Sequence, residues 1–196
     1  MNGKLKAALG AAGLALLVGG AVLAYNALSG WVGFADRLAL PAEPGEAGPD
    51  APSAPRQRAP DFAMTDWRGD GVRLSEILAG GRPVVLNFWA SWCPACRAEK
   101  PGFESVYREF GAEVKFVMLC LVDGARETVE SGRRHIEAGG FTLPVYFDTA
   151  REGMLAYGIR GIPATVFIGA DGYVVAAAQG ALDEGSLRMA VDFLLR

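Results

Sequence analysis

Two cysteines three residues apart constrain this chain more than any other feature of its sequence. Cys93 closely follows an apolar run at residues 83–89, and Cys96 lies inside the next stretch, at 94–110. The apolar run is typical of a central strand that is covered on both faces. We therefore predict that the pair lies where a buried strand passes into a helix. Pro94 suits the first helical position, where a missing N–H costs nothing.

Strands and helices are predicted to alternate around this point. The predicted strands are 62–64, 72–74, 83–89, 114–122, 144–147, 164–168 and 173–178. The predicted helices are a short one that Ser75 caps, then 94–110, 126–138 and 182–195. Turns at 68–71 and 171–172 predict hairpins near the start and the end. The order predicts an α/β fold, with a mixed central sheet flanked by helices.

The N-terminus carries a long apolar segment at residues 7–28, which is enough to span a bilayer. Lys4 and Lys6 precede it and acidic residues follow it, so the positive-inside rule keeps the N-terminus in the cytoplasm. The alternative is a cleaved signal peptide, whose apolar region is usually only ~7–15 residues long. We favour an uncleaved anchor, with the rest of the chain outside the cytoplasm as a single-pass cell-membrane protein.

The remaining chain divides by composition. Residues 41–60 are rich in Pro, Ala, Gly and Glu and lack apolar periodicity, which is typical of an extended tether. The predicted organisation is therefore a cytoplasmic N-terminus at 1–6, an anchor at 7–28, a tether at 29–59 and one folded domain at 60–196.

Composition excludes several classes of protein. A net charge of −3 argues against a nucleic-acid binder, which normally has a basic face. A zinc site would need two ligands besides the cysteine pair, and only Cys120 and His135 could contribute. Neither lies in a ligand-like pair, so we predict no metal and no cofactor. We expect Cys120 to be a buried small hydrophobe and His135 to be solvated.

The cysteine pair itself favours thiol–disulfide exchange. A helix N-terminus stabilises a thiolate, so we expect Cys93 to have a lowered pKa and to act as the nucleophile. Cys96, one turn into the helix, would resolve a mixed disulfide by attacking the sulfur of Cys93. Trp92 is a candidate for shielding the nucleophile and lining the substrate face, whereas Trp89 is expected to pack in the core.

Three segments of the sequence closely resemble the TlpA/ResA group of membrane-anchored thioredoxin-like oxidoreductases. They are Ala-Pro-Asp-Phe at 59–62, Val-Leu-Asn-Phe-Trp-Ala-Ser-Trp-Cys-Pro-Ala-Cys-Arg-Ala-Glu-Lys-Pro at 85–101 and Gly-Ile-Pro-Ala-Thr-Val-Phe-Ile at 161–168. The resemblance runs from about residue 60 to the C-terminus. It implies a thioredoxin fold with an N-terminal β-hairpin and a central insertion, here at 126–147.

The resemblance also implies roles for single residues. Pro163 matches a cis-proline beside the cysteines, which leaves the backbone of Ile162 free to pair with substrate. Together with Trp92 and Pro94, these residues are the expected substrate contacts. Glu99 matches an acidic residue near the cysteines that would accept a proton from Cys96; the alternative is a solvated carboxylate on the helix face.

Asn87 stands where similar cytoplasmic thioredoxins carry a buried Asp, a departure that the TlpA/ResA group shares. Without that buried strand acid, Glu99 is the better candidate for proton handling.

The leading functional expectation is an enzyme that reduces disulfides of exported proteins, and the resemblance adds a role in cytochrome c maturation. Expected partners are disulfide-containing exported proteins, apocytochrome c among the candidates, and a membrane thiol electron donor. A disulfide-forming oxidase would have the same architecture. A copper chaperone using both thiolates is a further alternative, but related copper proteins space their cysteines more widely and add a histidine.

Overall fold

The computed structural model describes residues 57–196. Within this part of the chain the strands are β1 (Ala63–Thr65), β2 (Gly71–Arg73), β3 (Val84–Trp89), β4 (Lys115–Leu121), β5 (Val145–Asp148), β6 (Ala164–Ile168) and β7 (Val174–Gln179). The helices are α1 (Leu74–Leu78), α2 (Pro94–Phe110), α3 (Val129–Ala138), α4 (Glu152–Ala156) and α5 (Glu184–Leu194).

The strands form one mixed sheet in the order β2-β1-β5-β4-β3-β6-β7. Strand β4 runs parallel to both β3 and β5. The other neighbours in the sheet, including the hairpin of β1 and β2, are antiparallel. The predicted mixed α/β sheet with its N-terminal hairpin is confirmed. The helix–strand pair α3–β5 falls in the stretch where an insertion was predicted.

Strand β3 lies at the centre of the sheet and separates two layers. All six of its residues are buried, as the continuous apolar run predicted. Val84, Leu86 and Phe88 join an apolar cluster on one face. Because side chains alternate along a strand, Asn87 and Trp89 point to the opposite face, where Asn87 contacts α2. The polar side chains of the site thus lie beneath the helix that carries the cysteines.

Helix α1 begins at Leu74, so the prediction that Ser75 caps it is wrong. The N-cap is Arg73, whose backbone N–H donates to the Glu76 carboxylate over 2.9 Å. The backbone N–H of Ser75 donates to Asp61, also over 2.9 Å. Asp61 lies 14 residues away in sequence, so local cap signals could not reveal this arrangement.

Helix α4 was not predicted, because five residues are too few to display a helical period. Its start depends on the buried carboxylate of Asp148, at the end of β5, which accepts the backbone N–H groups of Gly153 and Met154. Arg151 precedes the helix with φ of 61°, in the left-handed region that a non-glycine residue rarely adopts. The segment after β5 is therefore fixed by Asp148.

Gly153 provides a test of how closely α4 packs on the sheet. A Cβ atom there would lie 2.7 Å from both Leu119 Cδ2 and Phe62 Cε2 in the core. We expect Gly153→Ala to lower the free energy of unfolding by about 1–3 kcal/mol, as overpacking does. Urea unfolding measures it. Gly185→Ala is the control, since Gly185 is exposed on α5 and should change stability by less than about 1 kcal/mol. Equal effects at both positions would contradict the packing argument.

The predicted anchor at 7–28 and nearly all of the predicted tether at 29–59 lie outside the described residues. Between residues 57 and 196, no helix is both long enough and apolar enough to cross a membrane.

Candidate active site

The cysteine pair lies at the junction that the sequence predicted. Cys93 is the N-cap of α2, and Pro94 occupies its first turn. Cys93 and Cys96 form a disulfide, with their Cα atoms 5.3 Å apart. The backbone N–H of Cys96 donates to Cys93 Sγ over 3.2 Å. Cys93 is 4% exposed and Cys96 is fully buried, so Cys93 is the sulfur nearer to solvent.

The peptide bond between Ile162 and Pro163 is cis, which confirms that part of the prediction. The carbonyl oxygen of Ile162 lies 3.7 Å from Cys93 Sγ. The side-chain amide of Gln179 donates to the carbonyl oxygens of Gly161 and Pro163, over 3.1 and 3.2 Å. Gln179 was missed at the sequence level, because it reaches this loop across the β6–β7 pair.

Glu99 lies on the buried face of α2 rather than on its solvated face, and is only 5% exposed. Its carboxylate accepts the Asn87 side-chain amide over 2.9 Å and the backbone N–H of Leu182 over 3.0 Å. Burial outweighs these two hydrogen bonds and raises the pKa of Glu99 to about 7. Burial and a raised pKa are what the proton-acceptor hypothesis requires of Glu99.

Asn87 links Glu99 to the neighbouring strand, because its amide also donates to Thr165 Oγ1 over 3.1 Å. Its carbonyl oxygen is buried and has no hydrogen-bond partner among the described residues. Rotation of the Asn87 side-chain amide would exchange its donor and its acceptor.

Lys100 was missed as a site residue, since a lysine on an amphipathic helix normally lies in solvent. Here it is 1% exposed, and its Nζ lies 3.5 Å from the centre of the Trp89 ring. Burial lowers the pKa of Lys100 to about 7, although nearby Glu99, Cys120 and Glu127 oppose the shift. Trp89 is fully buried, as predicted.

Glu127 is a second site residue that the sequence did not reveal, and its hydrogen bonds hold the loop before the cysteines. Its fully buried carboxylate accepts both the backbone N–H and the hydroxyl of Ser91, over 2.6 and 2.8 Å. Ser131 donates to the other oxygen over 2.8 Å. Cys120 lies beside Glu127, is buried as predicted, and has a pKa that burial raises. Glu127 thereby ties the start of α3 to the active-site loop.

His135 is partly buried rather than freely solvated, so that prediction is only partly right. Its ring packs 5.8 Å from the Trp89 ring and 6.3 Å from the Phe141 ring, measured between centroids. Its Nε2 is buried, without a hydrogen-bond partner in the described part of the chain. Burial, with Lys100 and Arg97 nearby, lowers the pKa of His135.

Trp92 stands at the surface beside the cysteines and is 40% exposed. The guanidinium carbon of Arg126 lies 4.2 Å from the centre of its ring, a cation–π geometry. Between residues 57 and 196, no group of three or more His, Cys, Asp or Glu side chains is arranged to hold a metal ion.

A disulfide at a helix N-terminus, next to a cis-proline at the end of a neighbouring strand of a mixed sheet, defines a thioredoxin-like protein. Residues 55–177 match the model of the AhpC/TSA family. The thiol-disulfide oxidoreductase ResA of Halalkalibacterium halodurans is 31% identical over 128 residues, which cover 65% of this chain and 70% of that one. ResA of Bacillus subtilis is 30% identical over 129 residues, covering 66% and 69%.

Solved structures agree with these relatives. A protein described as a putative thiol:disulfide interchange protein DsbE from Chlorobium tepidum superposes with a TM-score of 0.64 at 26% identity, covering 72% of this chain and 97% of that one. StoA from Bacillus subtilis gives 0.59 at 28%, covering 68% and 97%. The chain belongs to the thioredoxin-like AhpC/TSA family and is a thiol-disulfide oxidoreductase of the ResA type, as its motifs predicted.

Proposed function

We propose that this protein reduces disulfides of exported proteins on the outer side of a cell membrane. The observation that carries the proposal is the position of Cys93, at the start of α2 and 3.7 Å from the Ile162 carbonyl oxygen. An extended polypeptide can pair with the backbone of Ile162 while its disulfide meets Cys93. Trp92, Pro94 and Pro163 surround this point and are the proposed substrate contacts.

The reaction requires two exchanges. The Cys93 thiolate of the dithiol form attacks the substrate disulfide, which forms a mixed disulfide and releases one substrate thiolate. Cys96 then loses its proton and attacks Cys93 Sγ, which releases the second substrate thiolate and forms the Cys93–Cys96 disulfide. Two electrons pass to the substrate, whose thiolates take up two protons.

Glu99 is the proposed acceptor of the Cys96 proton. It lies one helical turn after Cys96, and residues at this spacing are neighbours on a helix face. Its pKa of about 7 leaves it partly ionised near neutral pH, where a general base works best. The pair must then be reduced again, which we assign to a membrane dithiol donor, since no soluble thiol pool is expected outside the cytoplasm.

The proposed location follows from the sequence. Residues 7–28 would anchor the chain, and residues 29–59 would hold the domain away from the bilayer, outside the cytoplasm. Apocytochrome c is one candidate substrate, since its cysteines must be reduced before haem attachment.

The direction of electron flow is tested by equilibrating the protein with glutathione redox buffers. We expect a reduction potential close to that of thioredoxin, at about −270 mV, and far below that of the oxidase DsbA, at about −120 mV. A potential near the DsbA value would contradict the proposed reductase function and favour the disulfide-forming oxidase. Stoichiometric Cu(I) binding without disulfide reduction would favour the chaperone alternative.

Substrates are identified by trapping in cells. Cys96→Ala leaves Cys93 able to form the mixed disulfide but unable to resolve it, so exported proteins should accumulate on it. The double variant Cys93→Ala/Cys96→Ala is the control and should trap none. If both variants recover the same proteins, the proposed reaction is wrong.

A further inference from the structure

A cavity of about 310 Å³ opens directly beside the cysteines. Trp92, which precedes Cys93, and Ile162, which precedes the cis-proline, both line it. Met154 and Ile159 form an apolar part of the cavity wall. A chain paired with Ile162 while its disulfide meets Cys93 would have its flanking residues at this cavity.

The cavity also has a basic wall formed by Arg126, Arg151 and Arg160. Arg126 is already engaged, because its guanidinium lies over the Trp92 ring and its Nε is 3.4 Å from Asp123 Oδ2. Arg151 and Arg160 are exposed, and neither makes an ion pair with any residue between 57 and 196. Arg151 Nη2 makes one weak contact, at 4.0 Å from Met154 Sδ, so both guanidinium groups keep unused donors beside the cavity.

The acidic residues of the cavity do not neutralise those two arginines. Asp123 accepts the backbone N–H groups of Ala125, Arg126 and Glu127, over 2.8–2.9 Å. Asp148 is buried and accepts the N–H groups at the start of α4, and its burial raises its pKa. Both carboxylates already accept backbone N–H groups, and the three arginines of the lining outnumber the two aspartates, so the cavity presents a net positive charge to an occupant.

Arg151 is held in place by the backbone around it. It is the one non-glycine residue with positive φ in the described part of the chain, and its carbonyl accepts the N–H of Leu155. Asp148 fixes the turn that follows it. The backbone of Arg151 therefore has a defined position next to the apolar part of the cavity wall.

We propose that this cavity binds the substrate segment next to the disulfide, and that Arg151 and Arg160 bind an acidic side chain in that segment. The proposal rests on the proposed function and specifies its substrate class. Arginine suits this role because its planar donors match a carboxylate. Preferred substrates carry Asp or Glu close to the reacting cysteine, with aliphatic residues that contact Met154 and Ile159.

The test measures reduction rates with disulfide-linked peptides that differ at one position. One set carries Glu, Gln or Lys beside the same cysteine, and the reduced full-length protein is mixed with each. We expect kcat/KM for the Glu peptide to exceed that for the Gln peptide by about fivefold, with Lys slowest. The preference should disappear at about 1 M salt, where the screening length is about 3 Å.

The double variant Arg151→Gln/Arg160→Gln should bring the Glu-to-Gln ratio close to one. Gln retains a side chain at the left-handed position, and circular dichroism checks the fold. The charge-matched control is Arg68→Gln/Arg134→Gln, at two exposed arginines outside the cavity, and it should keep the ratio of the unaltered protein.

Three results would separate the claims. If the unaltered protein reduces all three peptides at equal rates, the charge preference is wrong and the proposed reductase function stands. A preference that survives in the Arg151→Gln/Arg160→Gln variant also overturns this inference. If no peptide disulfide is reduced, the proposed function itself fails.

Discussion

Replacing Glu99 with glutamine is expected to remove a large part of the pH dependence of stability between pH 4.5 and 7. The pKa of Glu99 is raised from 4.5 to about 7, chiefly by burial. The folded protein therefore holds this proton more tightly than the unfolded chain does. The stabilisation is fully present below about pH 4.5 and is lost as the pH rises through about 7, a change of about 3 kcal/mol.

Glutamine mimics the protonated acid, so the variant should not lose this stability as the pH rises. Urea unfolding of the disulfide form at pH 5 and pH 8 measures the difference. Relative to the unaltered protein, Glu99→Gln should gain about 3 kcal/mol between the two pH values. Glu137→Gln is the control, since Glu137 is exposed on α3. If both variants change the unfolding free energy equally between the two pH values, the burial of Glu99 does not explain the effect.

The same substitution should alter the chemistry. Without the carboxylate, Cys96 loses the proposed acceptor of its proton, and the second exchange step should lose its inflection near pH 7. The Asn87 side chain can change its hydrogen bonding during this step, because its carbonyl oxygen has no hydrogen-bond partner in the described structure. Rotation of its amide would turn that oxygen toward a newly protonated Glu99. Stopped-flow resolution of the mixed disulfide measures the inflection.

The fold was largely predictable because its signals are local. Helix α2 spans Pro94–Phe110, and β6 spans Ala164–Ile168, the bounds that the sequence predicted. A continuous apolar run has few alternatives to a buried central strand, and proline at a first helical turn marks the start of α2. These features depend on neighbours within a few residues.

The missed features depend on contacts between distant parts of the chain. Glu127 is buried because it meets Ser91, 36 residues earlier, and a single sequence gives no sign of that pairing. His135 is packed against Trp89 although it sits between polar neighbours on α3. The cis bond at Pro163 was predicted from family resemblance alone. Local pattern therefore placed the cysteines, but not the polar groups that surround them.

Lys100 is expected to have the second large effect on stability. The pH dependence of this effect is opposite in sign to that of Glu99. The pKa of Lys100 is lowered from 10.5 to about 7, mainly because the folded protein buries the ammonium group. Its contribution to stability is fully present above about pH 10.5 and is lost as the pH falls through about 7. The shift corresponds to about 5 kcal/mol as an upper bound, since it concerns a buried charge.

Lys100→Met should therefore raise the free energy of unfolding by about 1–4 kcal/mol at pH 6, where the buried lysine is charged. Methionine has a similar length and retains contact with the Trp89 ring. The gain should shrink as the pH approaches 10, because the neutral lysine no longer carries a desolvation cost. Lys115→Met, at the less buried start of β4, is the control. Destabilisation at pH 6 would mean that the contact with Trp89 outweighs burial.

The two charges are also coupled, since Lys100 lowers the pKa of Glu99. Lys100→Met should therefore move the Glu99 inflection above pH 7 and slow proton transfer from Cys96 at neutral pH. A double-mutant cycle with Glu99→Gln isolates this effect. If the lysine acts through Glu99, its substitution should not alter the pH profile once Glu99 is glutamine. An undiminished shift in the double variant would show that Lys100 acts on the cysteines by another route.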